Sequence, residues 1–185
     1  MVTARSLFQS SLQLIETKMK KNKIGLWLLL VVSVVLIDIV IKQCIVRHFN
    51  FAEPYYLLPF LNITLAYNRG AAFGFLNGQS GWQVGMLSLI AVVVSVGIIY
   101  WLRKISNQYP LQSCGISLVL GGAIGNLIDR IHYGYVIDFI DFHINHWHFA
   151  FFNMADAAIT IGVVLLIIDF LLRGNKREKN STGKS

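Results

Sequence analysis

Apolar residues in this chain are gathered into four long runs: Ile24 to Ile45, Trp82 to Leu102, Leu111 to Ile128 and Ala155 to Leu172. Each holds 18 to 22 residues. At about 1.5 Å rise per residue such helices are about 27 to 33 Å long, close to the hydrocarbon core of a bilayer, about 30 Å. The pattern predicts four transmembrane helices. Composition agrees, since 55% of the 185 residues are hydrophobic, only 14% are charged, and the mean hydropathy is +0.59. An ordinary soluble domain is less apolar.

The first run follows Lys18, Lys20, Lys21 and Lys23 and ends near Cys44, which raises the idea of a cleaved signal peptide or a lipoprotein precursor. The run is too long for a signal-peptide core, and Lys42 and Gln43 are not the small residues of a cleavage site, so it reads as a retained helix. Residues 1 to 18 stand outside the pattern. Met19 followed by KKNKIGLW reads as a better beginning, so 1–18 are taken as an N-terminal extension or short cytoplasmic helix without assigned function. Residues 19–173 form one four-helix membrane domain, and 174–185 a polar, disordered cytoplasmic tail.

The basic residues orient the threading. Twelve of the sixteen lie before the first run, between the second and third, or after the fourth; Lys42, Arg47, Arg69 and Arg130 lie toward the other side. By the positive-inside rule both termini are cytoplasmic. The net charge of +7 is therefore membrane anchoring rather than a nucleic-acid-binding face, and no nucleic-acid partner is expected. Two segments then face outward, 46–81 and 131–153. The first contains LNITLAYNRGAAFGFLNG, strand-like to Tyr67 and then punctuated by Gly and Asn, which predicts a small sheet or hairpin. The second, IHYGYVIDFIDFHINHWHFAFF, is aromatic-rich and reads as an interfacial belt. The fold class is thus an all-α membrane protein of four transmembrane helices, with a small extracytoplasmic β-rich segment between helices 1 and 2.

With this topology each charge acquires a depth. Asp38 and Lys42 occupy the last turns of helix 1, Asp129 and Arg130 close helix 3, Asp138 follows in the outer loop, and Asp156 opens helix 4. All six converge on the outer interface, while Asp169 lies at the other end as a solvated or paired charge. A charge at a helix centre costs about 2.5 to 3.5 kcal/mol on insertion scales, so such residues are usually paired and often functional. Structural roles compete at each position. Asp38 and Lys42 are four apart and form an ion pair. Asn126 shares a face with Asp129 or Arg130, beside a Gly121 and Gly125 surface suited to helix packing. Asn153 and Asp156 have the spacing of a helix cap. Asp138 has no basic neighbour in sequence and calls for a partner elsewhere.

Two carboxylates held within a few ångströms share a proton, the arrangement that activates water in aspartic proteases, and Asp138 and Asp156 are the candidates. No Gly-x-Ser-x-Gly elbow, motif-placed Cys with His, or HEXXH motif is present. His143, His146 and His148 with Asp141 fit no metal-ligand spacing and read as belt residues, so no metal or cofactor is expected. Cys44 and Cys114 read as structural.

Together IDIVIK, AYNRGAAFGFL, GGAIGNLIDR, GYVIDF and FNMADAAITIG resemble the lipoprotein signal peptidase family, bacterial signal peptidase II, over roughly residues 24 to 172. The resemblance implies an intramembrane aspartic endopeptidase of the bacterial inner membrane. Its partners would be the bilayer and diacylglyceryl-modified prolipoproteins, cut just before the lipid-modified cysteine, with globomycin as inhibitor. It puts the catalytic pair on Asp138 and Asp156, and supporting or substrate-binding positions on Asp38, Lys42, Asn68, Gly70, Asn126, Asp129, Arg130 and Asn153. Asn126 and Asn153 are expected to orient the aspartates, Arg130 to pair with Asp129, and Asp38 to pair with Lys42. Asn68 and Arg69 are expected to meet substrate from above, the Gly70, Ala71, Ala72 run to permit close backbone approach, and Phe73 to rest among headgroups. A small proton-coupled transporter is the competing reading. It calls for carboxylates spread through the membrane depth and an internal repeat, and a non-catalytic scaffold leaves the clustered charges unexplained.

Overall fold

A computed structural model describes residues 23–70, 81–145 and 147–182, with side chains as far as Gly174. The N-terminal extension, Ala71, Ala72, Phe73 and His146 lie outside the described residues. The four apolar runs form helices α1 (Ile24–His48), α2 (Trp82–Ile105), α3 (Pro110–Tyr133) and α4 (Met154–Thr182), all long and apolar enough to cross a membrane. Pro110 opens α3 at a position where no N–H is needed. Each helix outruns its apolar core at the C-terminal end, where Arg47 and His48 on α1, or Arg103 and Lys104 on α2, meet the negative end of the helix dipole. The disordered tail expected from Gly174 is corrected in the same way. The α4 backbone stays helical to Thr182, because the polar stretch after Gly174 contains Lys, Arg and Glu, all good helix formers.

Helix α3 is the hub, packing on α4, α1 and α2. Half of its span is buried inside the bundle, against 17% or less for the others. Small residues make this possible. A Cβ on Gly121 would stand 2.7 Å from that of Val34 on α1, and one on Gly122 would collide with the Ala155 carbonyl on α4. Gly121 and Gly125 thus form the packing surface expected of them. Side chains such as Leu29, Val93, Val96 and Phe170 point outward, as a lipid-facing surface requires.

At the end of the bundle away from Lys23, Arg103 and Arg173 lies an antiparallel sheet of β1 (Pro54–Leu58), β2 (Leu61–Asn68), β3 (Val136–Ile144) and β4 (Trp147–Phe152), in that order. Strands β1 and β2 are the predicted element. Strands β3 and β4 arise from the segment read as an interfacial belt, which corrects that reading. Val136 to Phe139 are all buried, Asp138 among them, so this strand lacks the apolar/polar alternation of a half-exposed one. Gly134, left-handed at φ 75°, ends α3 and turns the chain directly into β3. Ile45 at the end of α1 packs with Leu65, Ile137 and Phe139, which fixes the sheet on the bundle. At the opposite end Asp169 is paired with Arg173 at 2.7 Å, and the Arg173 guanidinium lies 3.7 Å above the Tyr109 ring.

Candidate active site

The site is built outward from Lys42. Its ammonium lies 2.7 Å from Asp38 Oδ2 and 2.8 Å from Asp129 Oδ2, and donates to Asn126 Oδ1 at 3.1 Å. Three donors meet three acceptors, and the side chain is 1% exposed. The expected Asp38–Lys42 pair is therefore present, with a second carboxylate added from α3. Both acids are also anchored by backbone, since Ala155 N donates to Asp38 Oδ1 at 2.9 Å and Ile137 N to Asp129 Oδ2 at 3.1 Å. One lysine thereby ties α1 and α3 to the start of α4 and to β3.

Arg130 does not pair with Asp129 as expected. Adjacent residues on a helix point in different directions, so Asp129 faces Lys42 while Arg130 turns toward the strand end. There its guanidinium donates to Gly70 O and Asn126 O, both at 3.4 Å, and its Nε is buried without a partner among the described residues.

The two remaining carboxylates meet around Asn153. Asp138, on β3, accepts from Asn153 Nδ2 at 2.7 Å and from Asn68 Nδ2 at 3.0 Å. Asp156, in the first turn of α4, accepts from Asn126 Nδ2 at 2.8 Å and from the Asn153 backbone N at 3.2 Å, while its own N donates to Asn153 Oδ1 at 3.0 Å. The last two bonds are a reciprocal helix cap, so the capping role read from the spacing coexists with the carboxylate pairing. Asn153 Nδ2 also reaches Asn126 Oδ1 at 3.1 Å, which closes the circuit. Gly70 N donates to Asn68 Oδ1 at 2.9 Å and turns the Asn68 amide nitrogen toward Asp138. The ten positions singled out in the sequence thus join in one polar network. The backbone donors Ala155 N and Ile137 N belong to it too, and residue type alone gives no sign of them.

Asp138 is 1% exposed, whereas Asp156 is partly exposed. Burial, and then the negative charge of Asp156, push the Asp138 carboxyl up to about 7. The Asn68 and Asn153 hydrogen bonds and the charge of Lys42 oppose that rise. Such a carboxyl exchanges a proton near neutrality beside a second carboxylate. Asp156 opens into an apolar groove of about 660 Å³ between β4 and α4, lined by Phe149, Ala150, Phe151, Ala157, Thr160 and Ile161 among others.

The histidine-rich turn forms a separate cluster. His148 Nδ1 lies 2.7 Å from Asp141 Oδ1, and His143 Nε2 3.2 Å from Asn62 Oδ1. Asn62 and Thr64 also donate to Asp141, so this buried carboxylate is held by strand side chains. Arg69 is exposed beside the site.

The profile of signal peptidase II matches residues 30–172. The chain is 49% identical over 153 residues to the lipoprotein signal peptidase of Coxiella burnetii (strain Dugway 5J108-111), covering 83% of this chain and 94% of that protein. It is 45% identical over 159 residues to that of Yersinia pseudotuberculosis serotype O:1b (strain IP 31758), covering 86% and 93%. A bacterial membrane enzyme solved by the in meso method at 2.3 Å has a similar fold, with a TM-score of 0.71 at 35% identity over 87% of this chain and 92% of that one.

Proposed function

The chain belongs to the signal peptidase II family, and from that premise we propose that it works as an aspartic peptidase with Asp138 and Asp156 as its catalytic pair. As a member of the family it is a multi-pass inner-membrane peptidase that removes signal peptides from prolipoproteins. Membership leaves the proton-coupled transporter without support. The observation that carries the aspartic reading is Asn153, whose amide donates to Asp138 while its backbone N–H donates to Asp156. A single residue thereby sets two carboxylates of unequal exposure side by side.

In this reading Asp156, the more accessible, is the ionised base, and Asp138 keeps the shared proton. Water attacks the scissile carbonyl carbon and gives a proton to Asp156. The Asp138 proton meanwhile passes to the developing oxyanion. On collapse the C–N bond breaks, the leaving nitrogen takes the proton from Asp156, and Asp138 recovers its own. Lys42 with Asp38 and Asp129 holds the frame, Asn126 and Asn153 aim the carboxylates, and Asn68, Gly70 and Arg130 border the substrate side. The basic residues put both termini in the cytoplasm and the pair at the outer face, where a signal helix presents its cleavage site. The substrate is then a prolipoprotein carrying a diacylglyceryl-modified cysteine, cut just before that cysteine, and globomycin inhibits the reaction.

The test is cleavage of a lipidated prolipoprotein by purified wild type, Asp138→Asn and Asp156→Asn, each shown to be folded. Both variants are expected to lose activity by at least about a thousandfold, of the order for removing a group that acts only in the transition state. A folded variant cleaving at the wild-type rate sinks the assignment.

A further inference from the structure

We propose that the gap between α2 and α4 at the basic end of the bundle binds one anionic phospholipid, its phosphate on Arg173 and Gln112 and an acyl chain along Leu166 and Phe170. The inference rests on the four-helix membrane fold and is independent of the peptidase reading.

Helix α2 packs chiefly on α3, and only 6% of its span is buried. Beside α4 it leaves a cavity of about 370 Å³, within the range of small-molecule sites, about 300 to 1,000 Å³. Three helices line it: Trp101 from α2, Gln112 from α3, and Leu166, Asp169, Phe170 and Arg173 from α4. Trp101, Gln112 and Arg173 each stand within about one turn of the end of their span, the depth at which headgroups meet hydrocarbon. Deeper along α4, Leu166 and Phe170 offer apolar surface, and Phe170 is 76% exposed. The cavity is polar at headgroup depth and apolar beneath, which is the profile of a lipid.

The polar end is prepared for an anion. Arg173 Nε and Nη2 sit on the Asp169 carboxylate at 2.7 and 2.8 Å, and the guanidinium covers the Tyr109 ring. That uses two of its five N–H donors and holds the rest in a fixed fork suited to phosphate. Gln112 is half-buried, and its amide has no hydrogen-bond partner among the described residues. A phosphate oxygen supplies one. Because Asp169 and Arg173 cancel, the surplus charge comes from around them. Arg103 and Lys104 end α2, the first turn of α3 holds no acid, and Lys176, Arg177 and Lys179 outnumber Glu178 in the sequence that follows Gly174. That surplus selects a net negative headgroup over a zwitterionic one.

The test titrates delipidated full-length protein in neutral detergent with phosphatidylglycerol or phosphatidylcholine of the same chains. Native mass spectrometry reads retention, and tryptophan fluorescence the unfolding temperature. One phosphatidylglycerol is expected to bind at least about tenfold more tightly than phosphatidylcholine and to raise the unfolding temperature. Arg173→Gln should reduce that preference to under about twofold. Asp169→Asn, which keeps the guanidinium and removes the carboxylate beside it, should instead tighten phosphatidylglycerol at least about threefold. Lys23→Gln removes one charge at the start of α1, outside the cavity, and should change affinity less than about twofold. Equal binding of the two lipids, or no gain in Asp169→Asn, overturns the proposal. So do equal losses in Lys23→Gln and Arg173→Gln, which would mean diffuse attraction to the basic end. Displacement of the lipid by inorganic phosphate at the same concentration also overturns it, since a bare anion site needs no apolar floor.

Discussion

Replacing Lys42 by Met keeps most of the unbranched stem of the side chain and removes its charge, which isolates what the ammonium does. Lys42 lies 2.7 and 2.8 Å from Asp38 and Asp129. Unit charges about 4 Å apart attract by about 4 kcal/mol at an effective dielectric of about 20. The gross attraction is therefore about 8 kcal/mol, and desolvation of three buried ions and repulsion between the two acids offset much of it. What Met leaves behind decides the outcome. Two buried carboxylates keep only one backbone donor each, from Ala155 and Ile137, and orphaning a buried charge costs about 3 to 5 kcal/mol. Activity falls separately, because Asn126 loses one of the two donors at its Oδ1, keeping only Asn153 Nδ2, and its amide is held less firmly toward Asp156. A loss of ten- to a hundredfold in kcat, about 1.4 to 2.8 kcal/mol, is expected from one or two misaligned hydrogen bonds. The assay is unfolding in mixed micelles followed by tryptophan fluorescence, with cleavage measured in parallel. In an Asp38→Asn, Asp129→Asn background the same substitution should cost at least about 2 kcal/mol less. If Lys42→Met alone costs under about 1 kcal/mol, the value of an exposed pair, the ammonium is not the pillar of the site.

Other substitutions probe the remaining links. Asp138 titrates near 7 in the folded protein, above its ordinary value of 3.8. The folded state thus binds the extra proton, and stability falls as pH rises from about 4 to 7. Asp138→Asn removes that loss, on the order of 4 kcal/mol at most, so the inactive variant should be the more stable at pH 7 and no more stable at pH 4, read by unfolding titrations. Wild-type cleavage should decline as pH rises through about 7, because the proton donor is lost; a rate still climbing at pH 8 would contradict the assignment. Asn153→Ser keeps a capping oxygen but not the amide to Asp138, so it should hold stability within about 1 kcal/mol while losing a hundredfold or more in kcat; Asn153→Ala should lose both. Gly122→Ala drives a Cβ into the Ala155 carbonyl, whereas Gly97→Ala meets nothing within 4 Å. The first should cost about 1 to 3 kcal/mol and displace Asp156 enough to lower activity, and the second should be silent in both assays.

What was legible in the sequence follows from the range of the forces involved. Charges inside apolar runs are costly, so four spans and a basic bias were enough to bring Asp38, Lys42, Asp129, Asp138 and Asp156 to one end. Local spacings were legible as well: four residues for Asp38 and Lys42, three for the Asn153 and Asp156 cap. The Lys42–Asp129 contact was not, because it depends on how closely α1 approaches α3 across Gly121 and Gly125. Adjacency alone pairs Arg130 with Asp129, although successive helical residues diverge. Strand β3 is hidden because burial on both faces removes the alternation by which a strand is recognised, and β4 because its aromatic residues carry no alternation either. Pairing with β2, from Leu61↔Phe142 to Asn68↔Val136, is a tertiary fact.

The charge count of the assembled site explains why a proton stays in it. Among the described residues four carboxylates, Asp38, Asp129, Asp138 and Asp156, converge with two buried or half-buried cations, Lys42 and Arg130. Lys42 is committed to Asp38 and Asp129, and the contacts of Arg130 are with the Gly70 and Asn126 carbonyls. Among the described residues no cation pairs with Asp138, whose side-chain donors are the amides of Asn68 and Asn153. Amides stabilise a carboxylate less than a cation does, and burial disfavours its charge. The more buried acid of the pair is therefore the one expected to hold the shared proton, while Asp156, capped by backbone and open to the groove, is the one proposed as the base. In the proposed reading the asymmetry between acid and base arises from the deeper burial of Asp138, so a cation supplied to Asp138, as by Asn68→Lys, should abolish catalysis by ionising it, even if the protein gains stability.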